Sequence, residues 1–316
     1  MHGPLNTDAP VYVAGHTGLV GSACVRLLRR RGFTRLVTAS SAELDLRDHD
    51  AAERFLRRHR PEVVVVAAAR VGGIAANSAA PADFLSDNLR IQLSIMDAAR
   101  ALRVPRLLFL GSSCIYPRDC PQPIHESALL TGPLEKTNEA YAIAKIAGVT
   151  QVRSVRTQDG LPWISAMPTN LYGPGDGFDP ERSHVLAALL RRFDEAVREG
   201  AGSVTVWGTG TPRREFLHVD DLAEACLVLL ERYDGDAPVN IGTGVDLTIA
   251  ELAELVATTV GFQGRIRFDP GRPDGTPRKV LDTGTIRSLG WSPRTTLAEG
   301  LRTTYDWYRT AQEVRV

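Results

Sequence analysis

A glycine-rich segment near the start of the chain is the feature that most restricts its fold. The apolar run Val11–Ala14 leads directly into GHTGLVG at residues 15–21, after which apolar residues recur at helical spacing. In this arrangement Gly15 permits a tight turn, Gly18 lets the backbone approach a pyrophosphate, and Gly21 allows close packing of helix on strand. The N-terminus of the helix then faces the phosphates. The segment predicts a dinucleotide-binding turn, with an ordinary tight turn as the plainer alternative.

Further apolar runs continue the alternation of strand and helix. They have the length and composition of parallel strands buried on both faces. They lie at residues 36–38, 63–67, 106–110 and 163–167. We therefore predict an α/β fold, a Rossmann-type doubly wound parallel sheet with a smaller C-terminal α/β lobe. Residues 1–170 are expected to form the NAD(P)-binding domain, with some later segments returning to it, and residues 171–316 mainly a substrate-binding lobe.

The end of the second strand bears on the choice between NAD and NADP. An acidic residue there would bind the ribose hydroxyls of NAD, but residues 38–41 read Thr-Ala-Ser-Ser. The missing acid favours NADP, yet the arginine that would hold a 2′-phosphate is also missing from this loop. Asp45 and Leu46 follow at a spacing suited to the adenine pocket, although a solvated turn accounts for them equally well.

The balance of charge excludes some classes of partner. Lys plus Arg and Asp plus Glu both number 37, so no overall basic field exists to attract nucleic acid or an anionic membrane. No apolar run reaches the roughly 18 residues that would predict a membrane span. The four cysteines lack the spacing of metal ligands, and in a reducing cytosol we expect them to stay unpaired. These observations predict a cytoplasmic protein without a metal site.

A stretch after the fourth strand carries a pattern typical of carbonyl chemistry. Ser112 stands at the carboxyl end of that strand, where ligands bind in open parallel sheets. Tyr141 and Lys145 are four residues apart in a helix predicted to begin near residue 137, so they share one face. Because a phenol with a pKa of about 10 is a poor proton donor at neutral pH, we expect the Lys145 cation to lower it. The pattern predicts a reductase site, whereas Tyr-x-x-x-Lys alone would also fit a surface helix.

Basic residues cluster in the second half of an otherwise neutral chain. Any one arginine is expected at a solvated rim, but three clusters in the half without the glycine-rich turn favour a diphosphate-bearing substrate. The clusters are Arg191 with Arg192, Arg213 with Arg214, and Arg278 with Lys279. Asp220 and Asp221 precede a predicted helix at residues 222–230, and we interpret them as capping residues.

Longer motifs point to a family. Besides the glycine-rich turn and Tyr-x-x-x-Lys, the chain contains GSSCIYP at 111–117, PTNLYGP at 168–174, SHV at 183–185, WGTGTPRREFLHVDD at 207–221 and PDGTPRK at 273–279. Over nearly the whole chain this set resembles the GDP-sugar epimerase-reductases of the extended short-chain dehydrogenase/reductase family. The resemblance implies a homodimeric, NAD(P)-dependent enzyme that epimerises and reduces a GDP-linked keto sugar. The alternative is a GDP-sugar epimerase or ring-form mutase that uses bound NAD(P) without net redox change.

The resemblance also implies roles for individual residues. Ser112, Tyr141 and Lys145 would form the reductase triad, while Cys114 and His184 would exchange protons with the carbons that flank the ketone. Without it, Cys114 is interpreted as a small buried residue and His184 as a helix-entry residue. Contacts with the GDP-sugar are expected from Arg192, Trp207, Arg214 and Lys279. Contacts with the cofactor are expected from Gly15, Thr17, Gly18, Leu19, Val20, Gly21, Ser40, Ser41, Asp45, Leu46, Ala68, Ala69, Lys145, Pro168, Asn170, Leu171 and His184.

Two places depart from the family pattern. Where relatives often carry arginine, this chain has Thr17 in the glycine-rich turn and Ser40-Ser41 after the second strand. Both changes remove groups that would pair with the 2′-phosphate of NADP. We expect NADP as the cofactor, with NAD as the alternative.

Overall fold

A six-stranded parallel sheet forms the centre of the computed structural model, which describes residues 3–179, 183–272 and 274–313. In spatial order its strands are β2 (Leu36–Val37), β1 (Val11–Ala14), β3 (Val63–Val66), β4 (Arg106–Leu110), β5 (Ile164–Pro168) and β9 (Val239–Ile241). The chain runs outward from β1 to β2 and then returns to the other side of β1 with β3. The strand order therefore reverses at β1, and ligands of open α/β sheets bind outside the carboxyl ends at such a point.

Helices cover both faces of this sheet. Successive strand residues point to opposite faces, so Val63 and Val65 pack in one core and Val64 and Val66 in the other. The first core is closed by α1 (Leu19–Arg30), α7 (Val219–Arg232) and α9 (Gly284–Ser288). The second is closed by α2 (His49–His59), α4 (Pro81–Ala101) and α5 (Glu139–Asp159). The short helix α3 (Ile74–Ala79) follows β3 and packs against α4.

A second body of structure surrounds a third hydrophobic core, which includes Phe193, Val256 and Leu301. Its strands are β6 (Asn170–Tyr172), β7 (Ser203–Trp207), β8 (Arg213–His218), β10 (Asp246–Thr248), β11 (Arg265–Asp269) and β12 (Arg278–Lys279). Its helices are α6 (Val185–Glu199), α8 (Ile249–Val260) and α10 (Leu297–Glu313). β8 pairs with β6, β10 and β12, while β7 pairs with β11.

The chain passes repeatedly between the two sheets. Thr169 alone separates β5 of the central sheet from β6 of the second one, and β9 returns to the central sheet from the later half of the chain. The buried carboxylate of Glu215 on β8 joins the segments that follow β9 and β12. It accepts hydrogen bonds from the Gly244 amide at 2.6 Å and from the Leu281 amide at 2.9 Å.

The predicted fold class is confirmed, and most predicted elements lie within a few residues of their observed bounds. The interpretation of Asp220 and Asp221 as caps is wrong, because α7 begins at Val219 and its N-cap is His218, whose Nδ1 accepts from the Asp220 amide. Asp220 instead pairs with Arg26 at 2.7 Å. Of the helices in the described residues, none combines the length and apolarity needed to cross a membrane.

Candidate active site

The glycine-rich turn joins β1 to α1 at the carboxyl edge of the central sheet. Gly15 has a φ of 83°, and a Cβ there would lie 2.7 Å from the Ala68 nitrogen. A Cβ on Gly21 would clash with the Gly15 carbonyl, so both positions require glycine. Gly18 caps α1 without a side-chain hydrogen bond, and the first turn of the helix carries no acidic residue. The first amides of α1 thus suit a pyrophosphate, and the turn fits NAD(P).

The loop after β2, where the adenosine is predicted to bind, is polar, and two of the expected contact residues are exposed. Ser41 and Thr17 are both exposed. The amide and the hydroxyl of Ser40 each donate to Oε2 of Glu43 at 2.8 Å. Serine, threonine and a carboxylate can bind ribose hydroxyls, but they offer no guanidinium to a 2′-phosphate.

Asp45 and Leu46 lie in the turn that follows. The Asp45 carboxylate accepts from the Arg47 amide at 2.9 Å and from Arg47 Nη2 at 2.9 Å, and these bonds lower the pKa of Asp45 to about 2. This geometry favours the solvated turn for Asp45, and its cofactor contact stays a prediction. Ala68 and Ala69 follow β3 and are half-buried. Since β3 is the neighbour of β1 in the sheet, they lie beside the Gly15 turn.

Lys145 connects the catalytic helix α5 to the end of β4. Its Nζ donates to the Leu110 carbonyl at 2.8 Å and lies 4.9 Å from the centroid of the Phe109 ring. The Tyr141 ring centroid lies 5.8 Å from the same Nζ. Leu110 is followed by Gly111 and then Ser112, so the structure brings the tyrosine, the lysine and the serine to one edge of the sheet.

Burial controls the ionisation of these groups. It raises the pKa of the Tyr141 phenol, and a charge on Cys114 would raise it further. It lowers the pKa of Lys145 to about 8. The pKa of Tyr141 thus moves in the direction opposite to the lowering expected from Lys145, because burial of the phenol is its largest cause.

Cys114 lies two residues past Ser112 and is only 6% exposed. Its amide donates to the Ser112 hydroxyl at 3.3 Å, which starts a short 3₁₀ turn at Ser113–Ile115. Burial raises the pKa of the Cys114 thiol, while the Lys279 ammonium, a hydrogen bond with Ser112 and the Lys145 ammonium oppose that rise. The net effect favours the neutral thiol, although Lys279, Ser112 and Lys145 are the groups that would face a thiolate.

Lys279 reaches this place from β12 in the second body of structure. It lines one cavity together with Cys114, Glu135 and Thr276. Glu135 accepts from Thr276 Oγ1 at 3.3 Å and from Thr137 Oγ1 at 3.2 Å, so it fastens the loop before β12 to the turn before α5. The resemblance gave Lys279 a substrate contact only, and its position near the thiol could not be obtained from sequence spacing.

His184 is the N-cap residue of α6. The residue as a whole is exposed, yet burial of its imidazole lowers its pKa. A Cβ on Gly73 would lie 3.1 Å from the Ser183 carbonyl, so the His184 segment lies against the loop that follows β3. Among the described hydrogen bonds none joins His184 to Cys114, and the proton-transfer pair stays a prediction.

The remaining cofactor residues follow β5. Pro168 is buried at the end of that strand, and Asn170 and Leu171 are half-buried in β6. Asn170 Nδ2 donates to the Glu215 carbonyl at 2.8 Å, which fixes this crossing between the sheets.

The expected substrate residues lie in the second body of structure. The guanidinium carbon of Arg192 lies 4.8 Å from the centroid of the Trp207 ring, and Arg192 Nη1 donates to the Thr205 carbonyl at 3.2 Å. Arg214 Nη2 donates to the Asp274 carbonyl at 3.4 Å. Burial lowers the pKa of both arginines, which is the direction expected for cations with incomplete compensation.

Asp176 is a half-buried acid that sequence reasoning missed. The Gly177 amide donates to its Oδ1 at 2.8 Å, and within the described residues its buried Oδ2 has no hydrogen-bond partner. Burial raises the pKa of Asp176 to about 7. A Cβ on the neighbouring Gly175 would lie 3.1 Å from Ser22 Oγ, so this loop covers the start of α1. The sequence offered one indication of it, an aspartate between two glycines in a Pro- and Gly-rich loop.

Comparisons with known proteins agree with this geometry. The NAD dependent epimerase/dehydratase family matches residues 11–242. The chain is 58% identical to GDP-L-fucose synthase 1 of Arabidopsis thaliana, covering 95% of this chain and 93% of the relative. It is 50% identical to the GDP-L-fucose synthase of Escherichia coli, covering 96% and 97%. The solved structure of MlghC, the GDP-mannoheptose C4 reductase of Campylobacter jejuni with NADP bound, superposes with a TM-score of 0.89 at 36% identity, covering 96% and 99%.

Proposed function

Because the chain belongs to the NAD dependent epimerase/dehydratase family and is similar to GDP-L-fucose synthases, we propose that it converts GDP-4-keto-6-deoxy-D-mannose to GDP-L-fucose. The observation that carries this proposal is the closeness of two kinds of proton-transfer group at one sheet edge. Tyr141 suits a ketone oxygen, and Cys114 suits a carbon-bound proton. A simple reductase would need only the first.

Epimerisation begins with removal of a proton from a carbon beside the ketone. After its thiol proton has passed to solvent, Cys114 accepts that carbon-bound proton, and the negative charge passes to the ketone oxygen. Burial raises the pKa of this thiol, and Lys279, Ser112 and Lys145 oppose the rise. Tyr141 and Ser112 donate hydrogen bonds to this oxygen and lower the barrier. His184, protonated from solvent, delivers a proton to the opposite face of that carbon, and Cys114 releases to solvent the proton that it accepted. The stereocentre is inverted without net loss of protons.

Reduction completes the sequence at carbon 4. NADPH, when bound, supplies the hydride. Tyr141 delivers the proton to the oxygen as the carbonyl becomes an alcohol, and Lys145 orients the tyrosine while its ammonium offsets the developing phenolate. Burial of both groups excludes water and strengthens each interaction.

The cofactor is NADP(H). The glycine-rich turn fits the pyrophosphate, and the relative MlghC has been solved with NADP bound. Thr17 and Ser41 leave the 2′-phosphate without an arginine at two expected places, so the exposed hydroxyls of Thr17 and Ser41 would bind it by hydrogen bonds.

Incubation with GDP-4-keto-6-deoxy-D-mannose and NADPH in deuterated water tests the proposal. We expect loss of nicotinamide absorbance in proportion to GDP-L-fucose formed, with deuterium at carbons 3 and 5 of the product. Deuterium exchange without consumption of NADPH would instead indicate an epimerase that works with no net redox change. Neither exchange nor oxidation of NADPH would refute the proposed activity.

We further propose a homodimer assembled through α4 and α5. These helices pack side by side, and each leaves a large apolar residue open, Leu93 at 42% and Ile143 at 43% exposure. Light scattering of a Leu93→Asp, Ile143→Asp double variant should show a monomer where the unchanged chain is a dimer. We also place the protein in the cytoplasm, because four unpaired cysteines are compatible with a reducing compartment.

A further inference from the structure

Cys114 has to pass protons to solvent during the proposed epimerisation, yet it is buried. The thiol first loses its own proton, and it later releases the proton that it took from the sugar. Only 6% of the residue is exposed. A positioned group transfers a proton over hydrogen-bond distance, directly or through one water. The thiol therefore needs a carrier between itself and bulk solvent.

A cavity of about 30 Å³ lies beside this thiol. A water molecule needs about 10–15 Å³ of such space and two to four polar partners, so the cavity has room for about two waters and is too small for a sugar ring. Its lining supplies the polar partners, because it contains amide, carboxyl, hydroxyl and amino groups. Besides Cys114, these groups belong to Gln122, Glu135, Asn138, Thr276 and Lys279.

The side chain of Asn138 borders this cavity and does not cap its helix. Asn138 is the N-cap residue of α5, a position where asparagine is preferred, yet its side chain makes no capping hydrogen bond. Its Oδ1 is buried and has no hydrogen-bond partner among the described residues. A buried carbonyl oxygen without a partner costs free energy. A water in the cavity that donates to Oδ1 would remove this cost.

Glu135 lines the same cavity and also reaches solvent. Its side chain is 14% exposed, and its Oε2 lies 3.5 Å from Nε of Arg118, which is 45% exposed. Thr137 Oγ1 donates to Oε1 at 3.2 Å, and Thr276 Oγ1 donates to Oε2 at 3.3 Å. The two threonines come from the turn before α5 and from the loop before β12. They hold the carboxylate between the cavity and the surface.

We propose that Glu135 exchanges protons with Cys114 through water that Asn138 holds in this cavity. When the S–H bond of Cys114 breaks, its proton passes to the water, which passes one of its own protons to the Glu135 carboxylate. The O–H bond formed there breaks again as the proton leaves for bulk solvent. The same route discharges Cys114 after it has taken a proton from the sugar. This inference rests on the proposed function, because only epimerisation requires Cys114 to exchange protons.

Lys279 supports the negative charge that moves along this relay. Burial lowers the pKa of Lys279, whereas charges on Cys114 and Glu135 raise it. Its ammonium form therefore favours a thiolate at one side of the cavity and a carboxylate at the other. A proton can move between Cys114 and Glu135 while the remaining negative charge stays near this cation.

Deuterium wash-in at carbons 3 and 5 of the GDP-keto sugar tests the relay. The reaction runs in deuterated water with NADP, which cannot supply hydride, and mass spectrometry reports the exchange. Glu135→Gln keeps the size and one acceptor oxygen but cannot take a proton, so wash-in should fall by about 10-fold. Asn138→Leu should lower it similarly, because it removes the polar group that holds the water. Glu139→Gln, at an exposed acid in the first turn of α5, is the matched control and should exchange normally.

Chemical rescue separates proton transfer from a structural defect. Glu135→Ala leaves space for a small carboxylate, so added formate should restore most of the lost wash-in. Formate should have no effect on the unchanged chain, in which the Glu135 carboxylate is already present. A variant that is merely misfolded would not respond to formate.

The outcomes separate this inference from the proposed function. If the unchanged chain washes in deuterium and Glu135→Gln does so at the same rate, the relay is wrong while the proposed function stands. A loss in Glu135→Ala that formate does not reverse would also overturn the relay. If the unchanged chain exchanges no deuterium, the proposed function fails and the relay fails with it.

Discussion

The two ends of the cofactor cleft are built on different physical principles. At the reacting end, Cys114 and Lys145 are 6% and 3% exposed, and burial shifts the pKa of each. At the end where the adenosine is predicted to bind, Thr17 and Ser41 are exposed, and the Ser40 amide and hydroxyl donate to the carboxylate of Glu43. Proton transfer needs groups whose ionisation is controlled by burial away from water. Binding the adenosine part of a nucleotide needs only hydrogen bonds at the surface. Substitutions at the second end can therefore change affinity and leave the chemistry intact.

Replacement of Tyr141 should give the largest effect at the reacting end. Tyr141→Phe keeps the ring but removes the proton donor, and general acid catalysis contributes about 10²–10⁴-fold, so kcat for reduction should fall by about 10³-fold. NADPH oxidation under saturating substrate measures it. Retention of activity within about tenfold would show that the buried phenol is not the donor and would erase the contrast between the two ends.

Replacement of Cys114 should affect one half of the reaction. Cys114→Ala removes the proposed base, so deuterium exchange at the carbons beside the ketone should fall by about 10²-fold, while Tyr141 and Lys145 remain. Mass spectrometry and NMR of the product in deuterated water report it. Cys120→Ala is the matched control, because that half-buried thiol donates to the Pro117 carbonyl and is not proposed as a base. Equal losses in both variants would contradict the assignment.

Restoring cations at the adenosine end should have a moderate effect on affinity alone. Ser41→Arg, combined with Thr17→Arg, should raise the ratio of kcat/KM for NADPH over NADH by about tenfold through pairing with the 2′-phosphate. Both values come from initial rates with each nucleotide. Thr258→Arg, on the exposed face of α8, tests for a general effect of charge. A change in kcat larger than the change in KM would contradict the separation of the two ends.

Two aspartates extend the comparison to the free energy of unfolding, where the expected effect is smallest. Asp176 has a pKa raised from 3.8 to about 7, so folding favours its protonated form. Its contribution to the free energy of unfolding is therefore full below pH 3.8 and is lost as pH rises to about 7. Asp176→Asn, which keeps an acceptor for the Gly177 amide, should therefore raise the free energy of unfolding by about 1–2 kcal/mol near pH 8 and not near pH 4. Thermal unfolding at both pH values measures it.

Asp45 provides the opposite sign as a control. Its pKa is lowered from 3.8 to about 2 by Arg47, so its contribution is present above pH 3.8 and is lost as pH falls to about 2. Because both partners are about half exposed, Asp45→Asn should cost well under 1 kcal/mol near pH 8. If Asp176→Asn also destabilises the protein near pH 8, its carboxylate has a favourable partner and the burial argument fails.

The parallel sheet was predictable because its strands are marked by apolar runs and by glycine where backbones meet. Val11–Ala14 and Arg106–Leu110 lie where the patterns place them. The sixth strand, Val239–Ile241, was not predicted, because three residues carry no period and acquire strand geometry only by pairing with β5.

The candidate site was predictable to the extent that it depends on spacing within one element. Tyr141 and Lys145 share a helix face, and the helix brings both to the end of β4. The direction of the Tyr141 pKa shift was missed because burial arises from the packing of distant segments. The same limit applies to Lys279 near Cys114 and to Arg272 on Trp207, since each pair joins residues far apart in the chain.

The single residue between β5 and β6 has a consequence for how such a chain can be rebuilt. Since Thr169 alone joins the two sheets there, and β9 returns to the central sheet before β10 leaves it again, no single cut separates a cofactor module from a substrate module. An exchange of substrate specificity between relatives by recombination would require several matched crossover points, each flanked by paired strands. We expect specificity in this architecture to change by point substitution along the cleft, one side chain at a time, rather than by transfer of whole segments.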